Sequence, residues 1–219
     1  MEFNFIEDGI DAVVIDNFYT EEQLKEIMLE LKWLTKPTVL SSDKGISAAR
    51  DLNTGNLITS KNGVFLENIF KDYRHSAIIS HGIKQMELDS FRSKLISCNT
   101  LFKSFIYCDS RCHLVSYYEN SQYYKQHVDS FFFTVLSYFH TEPKQFEGGE
   151  LILNSCNSDK KATIEVKNNR VLIIPSCTPH EVLEIKSKLN NTFSGDGRYC
   201  VATFLSVMPQ GEKKENDPN

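Results

Sequence analysis

From Cys112 onward the chain is a succession of short β-like runs, and no other feature restricts the possible folds as much. His113–Tyr117, Phe131–Phe139, Glu150–Leu153, Thr163–Val166, Val171–Ile174, Glu181–Ile185 and Arg198–Val207 are rich in β-branched and aromatic residues, which suit pleated surfaces. Gly148-Gly149, Asn168-Asn169 and Gly195-Asp196-Gly197 supply turn residues between them. Asn168-Asn169-Arg170 is a hairpin signal. Short strands at this spacing point to a sandwich or a barrel.

The first half has a different texture. Ala12 to Ile15 is a short strand-like run closed by the turn signal Asp16-Asn17. Thr20-Glu21-Glu22-Gln23 is a capping box, and Leu24, Ile27, Met28 and Leu31 follow it at helical spacing. Trp33, the single Trp, is expected in the core at the end of that helix. Lys36 to Lys61 is polar and broken by Pro37, Gly45 and Gly55, so an irregular segment is expected, of the kind that can form a lid. Gly63 to Leu66 offers a further short strand. Ser76 to Phe105 reads as helix with a break near Asn99, and Leu88, Phe91 and Leu95 form its buried face. Such a stripe needs a sheet to pack on.

At 219 residues and a net charge of -5, the chain has length for a sizeable core and lacks the overall basic balance of a nucleic-acid or anionic-membrane binder. Its N-terminus has no basic-then-apolar signal pattern, and no apolar run has the length of a membrane span. The six cysteines (Cys98, Cys108, Cys112, Cys156, Cys177 and Cys200) form no C-x-x-C pair. They read as reduced thiols, and a cytoplasmic setting is expected. The stretch 209–219 is charged and almost free of apolar residues, and is expected to be a disordered tail.

Four residues in the β-rich half carry chemistry. In an extended segment His127 and Asp129 point to the same side. His180 follows an apolar strand and a turn bracketed by Pro175 and Pro179. Two imidazoles and one carboxylate can hold Fe(II) on one face and leave the other open. Arg198 opens a strong β run, and a fixed guanidinium can grip a carboxylate through two parallel hydrogen bonds. Each has a plainer reading: a surface turn for His127-Val128-Asp129, a backbone-bonded histidine for His180, a solvated rim charge for Arg198. Tyr118 and Tyr124 can be core aromatics or can reach into a site. His75, His81, His113 and His140 lack ligand spacing and read as structural. No G-x-S-x-G, Walker or G-x-G-x-x-G pattern is present.

The set Tyr118, Tyr124, His127-Val128-Asp129, Gly149-Glu150-Leu151, Pro175, His180 and Arg198 resembles the Fe(II)/2-oxoglutarate-dependent dioxygenases, specifically the prolyl 4-hydroxylase-like group. The resemblance spans roughly Ala12 to Val207. It implies an α+β fold with a mainly β core: a double-stranded β-helix, a jelly-roll or cupin-like barrel over about 112–207, flanked by N-terminal helices. One domain over 1–208 is expected. Carried over position by position, His127, Asp129 and His180 would be catalytic iron ligands, and Arg198 would bind the distal carboxylate of 2-oxoglutarate. Tyr118 would hydrogen-bond that cosubstrate. Tyr124 would face the prime substrate, as would Phe204, near where some relatives place a Trp.

The implied activity is hydroxylation of an unactivated C–H with release of succinate and CO2. It would use Fe(II), 2-oxoglutarate and O2, with ascorbate as a possible reductant. Halogenating relatives lack the carboxylate that Asp129 supplies. A peptide or protein proline is the leading substrate. Two other readings stand beside it: the same cofactor chemistry on a free amino acid, small metabolite or nucleobase, and a non-catalytic β-barrel binding module.

Overall fold

The computed structural model describes residues 1–7, 9–42, 49–51, 54–187 and 192–207. The expected tail, 209–219, lies outside these, as do 43–48 and 52–53 of the segment expected to be irregular. In chain order the elements are β1 (Glu2–Ile6), β2 (Ala12–Asp16), α1 (Glu21–Leu34), β3 (Ser41–Ser42), β4 (Thr59–Ser60), β5 (Asn62–Phe65), α2 (Ala77–Met86) and α3 (Asp89–Cys98). A 3-10 stretch at Thr100–Tyr107 follows, then β6 (Ser110–Tyr118), β7 (Tyr123–His127), β8 (Phe133–Phe139), β9 (Phe146–Gly148) and β10 (Leu151–Asn154). The last five are β11 (Lys161–Ile164), β12 (Arg170–Pro175), β13 (His180–Val182), β14 (Ile185–Ser187) and β15 (Arg198–Ser206).

These strands form a large antiparallel sheet in the order β1-β2-β12-β8-β15-β6-β5-β3 and a smaller one in the order β11-β10-β13-β7-β4. β14 and β9 make a separate two-stranded ribbon. The chain steps from sheet to sheet as it runs through β6 to β15, which is the winding of a double-stranded β-helix.

Side-chain parity decides what each strand does, because successive residues face opposite sides of a sheet. In β15, Tyr199, Val201 and Leu205 join one core cluster, while Cys200, Ala202 and Phe204 join another. β12 divides in the same way, with Val171 and Ile173 against Leu172 and Ile174. The first cluster also takes Ile27 and Leu31 of α1, Ile78 of α2 and Phe91 and Leu95 of α3, so it is the layer between sheet and helices. The second takes Leu151, Leu153 and Val182 of the small sheet and fills the barrel. Burying each such side chain contributes about 1.5–3 kcal/mol. A one-residue slip would exchange the two sets, so the register is strongly specified.

The helical layer follows its local signals. Thr20 and Gln23 form the expected capping box on α1. Glu30, at the other end of α1, caps α2: its Oε2 accepts from Ala77 N at 2.5 Å and Ile78 N at 3.2 Å, and its Oε1 accepts from Ser76 Oγ at 2.6 Å. Asn99 does mark a break, where its side chain accepts from Leu101 N and the chain turns 3-10.

Several expectations need correction. Trp33 is 49% exposed. The buried stripe of α1 is Ile27, Leu31 and Leu34, and Trp33 falls off it, resting on Phe70. Leu88 is exposed because it precedes α3 as its N-cap residue. Asn168-Asn169 makes no hairpin, since β11 and β12 belong to different sheets. Asn169 instead sits at φ 61 and clamps the N-terminal arm, accepting from Tyr19 N and donating to Tyr19 O, both at 2.8 Å. The run Glu181–Ile185 is divided between β13 and β14. Within the segment expected to be irregular, Thr59 and Ser60 pair with Tyr124 and Tyr123 of β7.

Candidate metal centre

The two histidines are brought together by strand pairing. β7 and β13 run antiparallel with His127 directly opposite His180, and their ring centroids are 4.2 Å apart. Asp129 follows β7 and is pinned by its backbone N–H, which donates to Ser176 O at 2.9 Å. Ser176 lies in the turn Pro175–Thr178, closed by Thr178 N donating to Pro175 O. The Pro-bracketed turn therefore places His180 and holds Asp129 at once.

The ligand atoms converge. His127 Nε2 is 3.8 Å from Asp129 Oδ1, and His180 Nε2 is 3.7 Å from Asp129 Oδ2. One ligand atom from each of the three residues lies within 4.8 Å of the other two. The three residues together would hold one metal ion. His127 Nδ1 bonds to Lys125 O and His180 Nδ1 to Thr178 O, each at 2.9 Å. A carbonyl only accepts, so both Nδ1 atoms carry the proton and both Nε2 lone pairs face the cluster. Burial, reinforced by repulsion from His180, pushes the His127 pKa down to about 3, which keeps the imidazole neutral and ready to ligate.

The carboxylate is oriented as carefully. Thr134 Oγ1 donates to Asp129 Oδ2 at 2.7 Å and lies 2.8 Å from Ser176 Oγ. With its proton spent on Asp129, Thr134 must accept from Ser176. This chain of hydroxyls fixes Asp129 from behind. Thr134 and Ser176 carry no sequence motif, and only their strand and turn positions reveal them.

Arg198 is the second feature of the site. Its side chain is fully buried, and none of its three guanidinium nitrogens has a hydrogen-bond partner among the described residues. It lies between the rings of Tyr118 and Tyr138, 4.9 and 5.0 Å from their centroids. The Tyr138 hydroxyl is likewise buried without a partner. A buried cation flanked by a buried O–H donor is costly unless an anion completes it, and a carboxylate matches the guanidinium fork. The close approach to Arg198 depends on Gly149 at φ +75, where a Cβ would meet Ile185 Cδ1 at 2.2 Å and Arg198 Cδ at 2.9 Å.

All seven residues singled out in the sequence line one pocket: Tyr118, Tyr124, His127, Asp129, His180, Arg198 and Phe204. Tyr124 stacks on His127 at 3.6 Å between centroids and 9° between planes. Phe204 stacks on the half-exposed Phe131. Tyr138 and Cys200 escaped sequence reasoning although parity could have found them. Cys200 lies two residues from Arg198 in β15 and pairs with Tyr138 of β8. Lys61 also lines the pocket and donates to Ser116 Oγ at 2.9 Å. No signal marked it, because it ends the segment expected to be irregular. The four other histidines stay outside the pocket. His81 and His113 bond to Glu26 and Glu67, and the buried His140 bonds to Thr141 O.

Residues 112–206 match the family model of the 2OG-Fe(II) oxygenase superfamily. No curated protein matches the chain by sequence. Among solved structures, a Pseudomonas putida prolyl-4-hydroxylase is similar with a TM-score of 0.63 and 13% identity, over 91% of this chain and 94% of that one. A prolyl hydroxylase from Trichoplax adhaerens, in complex with a hypoxia inducible factor oxygen degradation domain peptide fragment, has a TM-score of 0.59 and 20% identity, over 89% and 83%. A prolyl 4-hydroxylase from Phytophthora capsici has a TM-score of 0.51 and 19% identity, over 91% and 60%. At these identities the likeness is one of fold.

Proposed function

We propose, from the match of residues 112–206 to the 2OG-Fe(II) oxygenase superfamily, that the chain is such an oxygenase and hydroxylates a prolyl residue of a peptide or protein, releasing succinate and CO2. The observation that carries the site reading is the partnerless, fully buried guanidinium of Arg198 in the pocket that holds His127, Asp129 and His180.

In this proposal His127, Asp129 and His180 hold the iron, and Thr134 and Ser176 keep the carboxylate turned toward it. Arg198 takes the distal carboxylate of 2-oxoglutarate through its fork, and Tyr138 donates a further hydrogen bond. Tyr118 lies against the guanidinium and presents its hydroxyl to the same cosubstrate. Fe(II) with 2-oxoglutarate and O2, with ascorbate as auxiliary reductant, supplies oxidative decarboxylation coupled to C–H hydroxylation. Tyr124 and Phe204 line the pocket with aromatic faces, against which an uncharged pyrrolidine ring packs without desolvating a charge. Leu114, Leu136 and Ala202 complete an apolar wall that excludes water.

The peptide substrate draws support from the Trichoplax adhaerens structure, which holds a peptide on the same fold. The test is to incubate the protein with Fe(II), 2-oxoglutarate, ascorbate and air, offering a panel of proline peptides and, separately, free amino acids. Succinate formation with the gain of one oxygen atom on a peptide proline is the expected result. Oxygen gain on a free amino acid alone would replace the peptide with a small substrate.

A further inference from the structure

We propose that Cys156 and Cys177 form a reversible disulfide that controls the candidate iron site; the coupling to iron rests on the function proposed above.

Both cysteines are exposed and reduced, and they are the two exposed ones among the six. They sit just beyond the β10–β13 ladder, where Leu151 faces Val182, Ile152 faces Glu181 and Leu153 faces His180. Asn154 N donates to Pro179 O at 2.8 Å, so the two chains stay alongside past the last ladder pair. Just beyond, both chains turn, with Ser155 N donating to Lys160 O and Thr178 N to Pro175 O. The Cys156 thiol donates to Cys177 O at 3.6 Å, which fixes the two residues as neighbours. A disulfide spans Cα atoms ~4.4–6.8 Å apart, and the thiol-to-carbonyl contact brings the two residues close to that reach. Burial and the nearby Cys177 raise the Cys156 thiol pKa.

Cys177 occupies the turn that organises the metal ligands. On one side Ser176 O accepts from Asp129 N and Ser176 Oγ bonds to Thr134; on the other, Thr178 O accepts from His180 Nδ1. Tying Cys177 to Cys156 pulls on both neighbours through their shared backbone. The oxidant is a hydroperoxide such as hydrogen peroxide. One thiolate attacks a peroxide oxygen, the O–O bond breaks, and a sulfenic acid forms. The second sulfur displaces the sulfenic oxygen as water, so two thiols and one peroxide give one disulfide and two waters. A dithiol reductant reverses the change by exchange.

The test uses the full chain at mildly alkaline pH, where thiolates are populated. It is treated with hydrogen peroxide, digested without reduction, and mapped by mass spectrometry. A Cys156–Cys177 cross-linked peptide, lost on dithiothreitol treatment and absent in Cys156→Ser, is expected. Anaerobic Fe(II) titration of the oxidised and reduced forms is expected to show binding weakened roughly tenfold by oxidation, the lower end of what losing support behind a metal ligand costs. Peroxide should leave Fe(II) affinity in Cys156→Ser unchanged. Absence of the cross-link in wild type, or a cross-linked protein with unaltered Fe(II) affinity, overturns the proposal. Reduced protein that binds no Fe(II) would instead overturn the iron assignment and with it the coupling, while the mapping still decides whether the disulfide forms.

Discussion

Arg198 and Asp129 carry the proposed function at the scale of single side chains, and Arg198 does so at a structural cost. An unpaired guanidinium inside a barrel is destabilising, so replacing it with an apolar side chain of similar length should help the fold. We expect Arg198→Met to raise unfolding free energy by ~1–3 kcal/mol in the absence of cosubstrate, measured by urea denaturation. The same change should raise the 2-oxoglutarate KM at least about a hundredfold, since a charged hydrogen bond contributes ~1.5–3 kcal/mol and two are lost. A variant that is less stable and keeps its KM would move the carboxylate clamp elsewhere. Asp129→Ala should remove Fe(II) binding and turnover while far-ultraviolet circular dichroism stays native-like, and activity retained in both Asp129→Ala and His127→Ala would sink the metal assignment. His127, Asp129, His180 and Arg198 were legible because their chemistry is unusual in a β-rich stretch. Thr134, Ser176 and Tyr138 were not, because hydroxyls acquire meaning only from the carboxylate or guanidinium they turn out to face.

At the level of elements, strand texture was readable and strand partnership was not. β8 and β15 announce themselves as apolar runs, and both are buried on two faces because helices cover one side of the large sheet and the small sheet covers the other. Asn168-Asn169 looked like a hairpin because local turn chemistry does not tell which sheet the next strand will join. That junction is held by a charge cluster: Asp16 at the end of β2 accepts from Arg170 Nε at 2.7 Å and Nη2 at 2.9 Å, and from Lys167 Nζ at 3.0 Å. The Arg170 hydrogen bonds, joined by Lys167 against a burial cost, hold the Asp16 pKa down at about 2. A carboxyl whose folded pKa lies below its unfolded value of ~3.9 adds stability above that value and loses it as pH falls through the folded one. Asp16→Asn should therefore lower stability at neutral pH and flatten the acid dependence between about pH 4 and 2. Urea midpoints taken across that range measure it, and an unchanged acid slope would assign the acid sensitivity to other carboxylates.

Across the whole molecule the site lies between two sheets that separate stretches of chain build. β7 and β13 of the small sheet carry His127 and His180, while β8 and β15 of the large sheet carry Tyr138 and Arg198. Metal alone would engage the small sheet and Asp129, whereas 2-oxoglutarate, chelated at one end and clamped at the other, would join small sheet to large. Ligands that bind only the folded state stabilise it by mass action, by ~2.7 kcal/mol at a hundredfold excess over Kd. Melting temperature under anaerobic conditions should thus rise with Fe(II), rise further with Fe(II) and 2-oxoglutarate together, and change little with 2-oxoglutarate alone. In Arg198→Ala the first increment should persist and the second should vanish. If 2-oxoglutarate alone gave the full second increment, the cosubstrate would be held without chelation, and the two sheets would be bridged by Arg198 and Tyr138 acting independently of the triad.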